Sequence, residues 1–362
     1  MHKIFLAISL WLLAITANAQ YVSLNKSEIK KLIALSKSDA VAMKNCKALG
    51  VVADIALLQQ PAPVDTIISE GHLASDPKKI ITQKALGDMN KIYALAFSYQ
   101  ITGKQEYLKK CTEYIVAWAN VNHSAGNPIN DTKLDPLLEG YDLVKDEISA
   151  ADRKTIASWL MQVADAEISN PRFHSANRSS MYNNWNSHRI KVVGLIGYTL
   201  NNKTYQQFTD TSIKKQILEN LYANGSGFDL EERDALHYHI YTLEPLLKIA
   251  RTIKRATGVD YFTYTSSAGS SIQKSVTFLV PFATGDQVHH EFVNSKVAFD
   301  KKRADNKEPG YTIGADFKPE AATGVLSSAA FFDPRYTTIV KKLLNTSETY
   351  PNWETVLNAV EQ

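Results

Sequence analysis

Apolar residues in this chain recur three or four positions apart in block after block, the spacing of one helix face. In residues 85–101 the positions Ile92, Leu95, Ala96 and Tyr99 form such a stripe, which stops at Thr102-Gly103. It resumes in residues 107–121 with Leu108, Cys111, Ile115, Ala117 and Trp118. The pair predicts a helix, a short glycine-containing turn and an antiparallel helix. The same rhythm runs through residues 149–169, with Ile156, Leu160, Val163 and Ala164, and returns in 188–200, 205–222, 235–257, 270–279 and 334–344. Strand signals are sparse and short, and no solenoid-type repeat period emerges. The pattern predicts one all-α domain of antiparallel helical hairpins. By analogy with other helical-hairpin proteins of this size, the arrangement expected is an α/α toroid or an incomplete toroid.

The first 19 residues are expected to be removed. Lys3 gives a positive start, residues 4–15 are apolar, and Ala17-Asn18-Ala19 is a small-x-small cleavage site, the layout of a signal peptide. That run is too short to span a bilayer, and no later stretch reaches the roughly 18 apolar residues that a span needs. Gln20, not a cysteine, stands directly after the cleavage site, so no lipid anchor is expected. The remaining residues, 20–362, read as a single domain exported to the periplasm or secreted.

Composition narrows the function. A hydrophobic fraction of 44% with 10% aromatics provides for a full core. The net charge of +3 falls to +2 once Lys3 is removed, which argues against a nucleic-acid partner but leaves room for a locally basic cleft that steers a polyanion. Cys46 and Cys111 fit either a disulfide or two buried thiols, and neither has zinc-site surroundings.

Two segments concentrate polar chemistry. The first is Asn183-Asn184-Trp185-Asn186-Ser187-His188, placed by the apolar run after it at the first turn of a buried helix. Such a turn offers free N–H groups and a favourable dipole to an anion. Asn184 and His188 are four apart and share a face. The plainer reading makes Asn183 or Asn184 an N-cap and His188 a satisfied core residue. The second is Arg233-Asp234-Ala235-Leu236-His237-Tyr238-His239-Ile240-Tyr241, read as the polar first half of a core helix, with Arg233, His237 and Tyr241 on one face. Burying an arginine, two histidines and two tyrosines without partners is costly; aromatic packing around a structural Arg–Asp pair is the alternative. Of the polar loops at 120–133, 170–183 and 288–314, the second contains Arg178. The Lys301-Lys302-Arg303 run in the third reads as solvated surface.

The pattern Asn-Asn…His, followed some fifty residues later by Arg…Ala-Leu-x-Tyr-His-x-Tyr-x-Leu-x-Pro-Leu at residues 233–246, resembles a divergent branch of the alginate lyase superfamily of α/α-toroid polysaccharide lyases. Three residues separate Asn184 from His188, whereas the usual pattern has them adjacent. The resemblance implies β-elimination from a uronic-acid polysaccharide, leaving 4,5-unsaturated ends, with no metal and no cofactor. It implies Asn184 and His188 as the pair that reads and neutralises the carboxylate, Arg233 as an assisting cation and Tyr238 as the proton carrier. Asn183, Trp185, His237, His239, Tyr241 and Arg178 are expected to bind substrate. The base stays open among His188, Tyr238 and Tyr241, with a neighbouring arginine expected to favour a phenolate.

Two other classes remain. One is a helical glycan-binding protein. The other is a glycoside hydrolase, which would need two carboxylic acids from among Asp135, Glu139, Asp142, Asp229, Glu231 and Glu232. His237-x-His239 and His289-His290 lack the spacing of a metal hydrolase.

Overall fold

The computed structural model describes residues 20–175 and 178–362; the expected signal peptide lies outside them. The described residues form α1 (Lys26–Leu35), α2 (Ala40–Leu57), α3 (Pro77–Ala85), α4 (Gly87–Thr102), α5 (Gln105–Val121), α6 (Pro128–Asp131), α7 (Asp135–Val144), α8 (Ala150–Ser169), α9 (Asn184–Thr199), α10 (Lys203–Asn220), α11 (Phe228–Arg233), α12 (Leu236–Thr257), α13 (Ile272–Thr284), α14 (Ala298–Asp305), α15 (Thr323–Ala329), α16 (Arg335–Leu343) and α17 (Trp353–Glu361). Extended pairing among them is limited to two isolated bridges, Leu221 with Gly227 and His290 with Asp316.

The helix ends follow local chemistry. Asn25 and Glu28 build a capping box on α1, and Asp39, Ser149 and Asn202 accept N–H groups at the starts of α2, α8 and α10. Each satisfies donors that the helix itself cannot. The turn foreseen at Thr102-Gly103 is built on Gly103, which ends α4 at φ 71°, a conformation that costs other residues 1–2 kcal/mol or so.

Helices α2, α4, α7, α9, α12, α15 and α17 each pack on the next, and α17 returns to α2. Outside this ring lie α5 against α4 and α8, α10 against α9, α13 against α12, and α16 against α15. The chain is therefore an α/α toroid with a closed inner ring. Where α9 meets α12 the helices approach so closely that a methyl group on Gly194 would lie 2.4 Å from Ile249 Cδ1. Fifteen of the sixteen residues of α9 are buried, so it carries no amphipathic stripe: it is core on every side. The inner helices enclose an axial cavity of about 270 Å³, lined on one side by Tyr21 to Leu24. That segment is tied down by Ser23, which donates to Asp142, and by Arg255, which donates to the carbonyls of Tyr21 and Ser23.

Two expectations are corrected. Arg233 and Tyr241 do not share one helix: α11 ends at Arg233, and Asp234 takes left-handed φ 47° before α12 begins. Residues 288–314 are not all loop, since α14 forms within them. Cys46 and Cys111 are free thiols, Cys111 fully buried.

Candidate active site

A cleft of about 370 Å³ opens where the first turns of α9 and α12 meet α3, the segment after α6, and α14. Its walls include Asn184, Trp185, Arg233, His237, Tyr238 and Tyr241, as well as Lys79, Lys133, Arg303 and Tyr311.

The start of α9 is built around Asp229. The backbone N–H of Asn184 donates to Asp229 Oδ1 at 3.0 Å, and the Asn184 amide nitrogen donates to the same oxygen. Asn220 Nδ2 and Thr242 Oγ1 donate to Oδ2, each at 2.7 Å. Asn183 is the N-cap, its Oδ1 accepting from Trp185 N–H at 3.0 Å. The anion site foreseen at this helix end is thus filled by the protein's own carboxylate, and Asn183 is buried structure that does not line the cleft. The α12 start is closed in the same way: Glu291 accepts the N–H groups of Leu236 and His237 at 2.9 and 3.3 Å.

His188 stands behind Tyr241, with ring centroids 4.3 Å apart, and lines a smaller cavity beyond the cleft. Its Nδ1 hydrogen-bonds Thr132 Oγ1 at 2.9 Å, and Lys191 donates to that hydroxyl and to Asp135. Burial, reinforced by the Lys191 charge, holds the imidazole well below its usual pKa. These surroundings favour the neutral ring over the cationic His188 expected to neutralise a carboxylate.

On the opposite wall Arg233 is locked to Asp300, 2.5 Å away, while its guanidinium lies 3.9 Å above the Tyr238 ring. Tyr238 is 4% exposed. Its hydroxyl accepts from Arg303 Nη1 at 2.9 Å and lies 3.4 Å from the Tyr311 hydroxyl. Burial pushes the Tyr238 pKa up despite the arginine charges, so the resting residue is a phenol, not the expected phenolate. Burial likewise raises Tyr241, whose hydroxyl has no partner among the described residues. His237 faces the cleft beside Tyr238, and burial with the Arg233 charge lowers its pKa.

His239 turns away. It bonds the Ser275 carbonyl at 3.0 Å and packs on Phe278, and burial drops its pKa to about 4. Its expected role in substrate binding is replaced by a structural one. Arg178 is solvent-exposed and lies outside the cleft. Trp185 remains on the cleft wall, with Arg172 stacked 4.3 Å from its ring. Of the acids weighed for hydrolysis, four are engaged elsewhere: Asp135 and Glu139 hold Lys248, Asp142 holds Lys145, and Asp229 holds the start of α9.

Three cationic cleft residues and one tyrosine were not read as site residues. Lys79, Lys133 and Tyr311 stand in no motif. Arg303 had a signal, its spacing of four from Phe299, which puts both on one helix face; its guanidinium lies 4.3 Å from the Phe299 ring and 4.5 Å from that of Tyr311. Lys301 and Lys302 are exposed as expected, but Arg303 turns inward.

The model of the alginate lyase family matches residues 58–290, well over half of the chain. The chain belongs to the alginate lyase family. It is therefore a polysaccharide lyase. Among solved structures it is similar to an alginate lyase from Bacteroides ovatus, at 18% identity and TM-score 0.67, covering 96% of this chain and 100% of that one. Alginate lyase A1-III from Sphingomonas species A1 is 19% identical with TM-score 0.55, over 74% of this chain and 80% of that one. A variant of A1-III complexed with tetrasaccharide is 18% identical with TM-score 0.58, over 86% and 88%. At these identities the structural likeness speaks for the toroid. No curated sequence relative matches.

Proposed function

We propose that this lyase cleaves a uronic-acid polysaccharide, of alginate (polymannuronate) or glucuronan type, by metal-independent β-elimination after export to the periplasm or the exterior. The observation that carries this reading is the pairing in one cleft of four cationic side chains, Lys79, Lys133, Arg233 and Arg303, with the hydroxyls of Tyr238 and Tyr241. The cations suit a polyanion, and the phenols suit proton transfer. Relatives named alginate lyases, one of them complexed with tetrasaccharide, support an acidic polysaccharide as the partner.

In this reading Tyr238 carries the proton. Its phenolate is a minority form that burial disfavours, while Arg303 at the hydroxyl and Arg233 over the ring offset part of the burial cost. The phenolate oxygen takes the C5 proton. The C–H electron pair becomes the C4–C5 double bond, the C4–O4 pair leaves with the oxygen, and that oxygen receives the proton back from Tyr238. Trp185 and His237 position the sugar, and Tyr241 is the second phenol at the bond. The cleft wall includes one carboxylate, Glu70, among its cations; hard divalent cations need several oxygen donors, so the donor set favours direct neutralisation by side chains.

The test is ultraviolet absorbance of the purified protein with alginate, polymannuronate, polyguluronate and glucuronan in the presence of a chelator. A rise from the conjugated unsaturated uronate on one of these polymers is expected. Flat traces with new reducing ends would replace the elimination by hydrolysis.

A further inference from the structure

Once elimination is accepted, the question is which group neutralises the substrate carboxylate, without which the C5 proton is not acidic. The groups first expected to do so are already engaged. Asn184 gives its amide to Asp229, and the N-terminus of its helix is closed by the same acid. His188 does not line the cleft, and its burial disfavours the charged ring.

The four cleft cations can be separated by their partners. Arg233 pairs with Asp300 at 2.5 Å. Arg303 donates to Tyr238 and lies 3.7 Å from Glu308. Lys79 donates to the His72 carbonyl at 3.0 Å. Lys133 makes no hydrogen bond or ion pair among the described residues. It lines both the cleft and the smaller cavity behind Tyr241, at the seam between the two tyrosine-bearing spaces. The side chain stays exposed there; desolvation by the surrounding walls lowers its pKa, while the Asp135 and Glu244 charges act to raise it. A cation exposed on the cleft wall with no partner committed to it is free to take a substrate charge.

We propose that Lys133 is the catalytic cation, seated on the carboxylate of the uronate whose C5 proton is removed. Resting on the elimination reading, this names the group that serves that reaction's developing charge. As the proton passes from C5 to Tyr238, negative charge spreads onto the carboxylate oxygens, and the Lys133 ammonium stabilises it without itself gaining or losing a proton. It acts as an oxyanion-hole donor, whose removal typically costs 10²–10³-fold in turnover.

The experiment compares wild type, Lys133→Met and Lys133→Arg on the same uronate polymer by absorbance of the unsaturated product, with thermal melting as a folding control. Lys133→Met is expected to melt near wild type and lose kcat about 100-fold or more with KM changed less than tenfold. Lys133→Arg, which keeps the charge, is expected to stay within about tenfold of wild-type kcat. A loss confined to KM, equal losses in both variants, or full activity of Lys133→Met overturns the proposal. Collapse of both variants in the melt shows Lys133 to be structural and overturns it as well. A wild-type protein that forms no unsaturated product on any uronate polymer overturns the elimination reading itself, an outcome distinguishable from the others.

Discussion

Asp229 is the residue on which the geometry of the cleft most depends, and its removal is a quantitative test of the description. Its carboxylate is 1% exposed and receives four donors: the Asn184 N–H and amide, Asn220 Nδ2 and Thr242 Oγ1. These donors come from α9, α10 and α12, so one side chain of α11 joins three other helices. In Asp229→Ala each donor is left buried without an acceptor, at about 1 kcal/mol or more apiece. The start of α9 also loses the negative charge that its dipole favours, about 0.5 kcal/mol. Relief of the cost of burying a carboxylate offsets part of this, leaving a net loss of about 3–4 kcal/mol. For a chain of this size each kcal/mol moves the midpoint by roughly 2 °C, so thermal melting by circular dichroism should show a fall of about 6–8 °C. Asp229→Asn keeps one acceptor oxygen and presents an amide to the donors at the other, so a loss of about half that size is expected. Turnover should fall in both, because Asn184 loses the bond that orients it on the cleft wall. A melting point within 2 °C or so of wild type in Asp229→Ala would refute the idea that this carboxylate holds the site together.

Three further outcomes are expected. Tyr238→Phe should lower kcat by at least about 1,000-fold while KM moves little, and Tyr241→Phe should cost less; because burial raises the Tyr238 pKa, wild-type kcat/KM should climb with pH from 6 to 9 or so as the phenolate fraction grows, and a falling or flat profile would remove Tyr238 as base. Glu167 and Asp131 form a buried pair in which burial raises both carboxyls, Asp131 to about 6; folded pKa values above the unfolded ones mean stability that is full in acid and lost as pH rises through the folded values, so melts from pH 4 to 8 or so should show wild type losing stability and Glu167→Gln losing less. At Gly126, φ is 68° and a Cβ would sit 2.2 Å from the Ala166 carbonyl oxygen, so Gly126→Ala should destabilise by about 3 kcal/mol, read as a lower urea midpoint.

Most of the toroid was legible because helix periodicity reports which face is buried. The hairpin of α4 and α5 follows directly from Ile92, Leu95, Leu108, Cys111, Ile115 and Trp118, all buried as their spacing implied. Closure of the ring was not legible: it depends on close approaches such as Gly194 against Ile249, and a glycine inside a helical pattern does not announce its neighbour. Asp234 illustrates a different limit. Its left-handed φ breaks the continuous helix that residues 233–241 suggest, and it is held by contacts from a distant loop, with Phe292 N–H donating to its carbonyl and Asn294 N–H to its carboxylate. Tertiary bonds settled what local pattern left open.

The site divides along the same line. Motif reading found the residues at the starts of α9 and α12, because Asn183 to His188 and His237 to Tyr241 are compact in sequence and unusually polar for core helices. It could not assign their states, which depend on partners far along the chain. Asn184 is engaged by Asp229, 45 residues away, and Tyr238 is kept as a phenol by burial while Arg303, 65 residues on, supports its oxygen. Lys133 is the extreme case: it closes the polar loop at 120–133 but stands in no motif, and its candidacy arises from the absence of partners among the described residues in a cleft where the other three cations have them. Composition shows which charges a chain owns. Only the fold shows which of them are already paired, and in a lyase the unpaired one is where a substrate charge can bind.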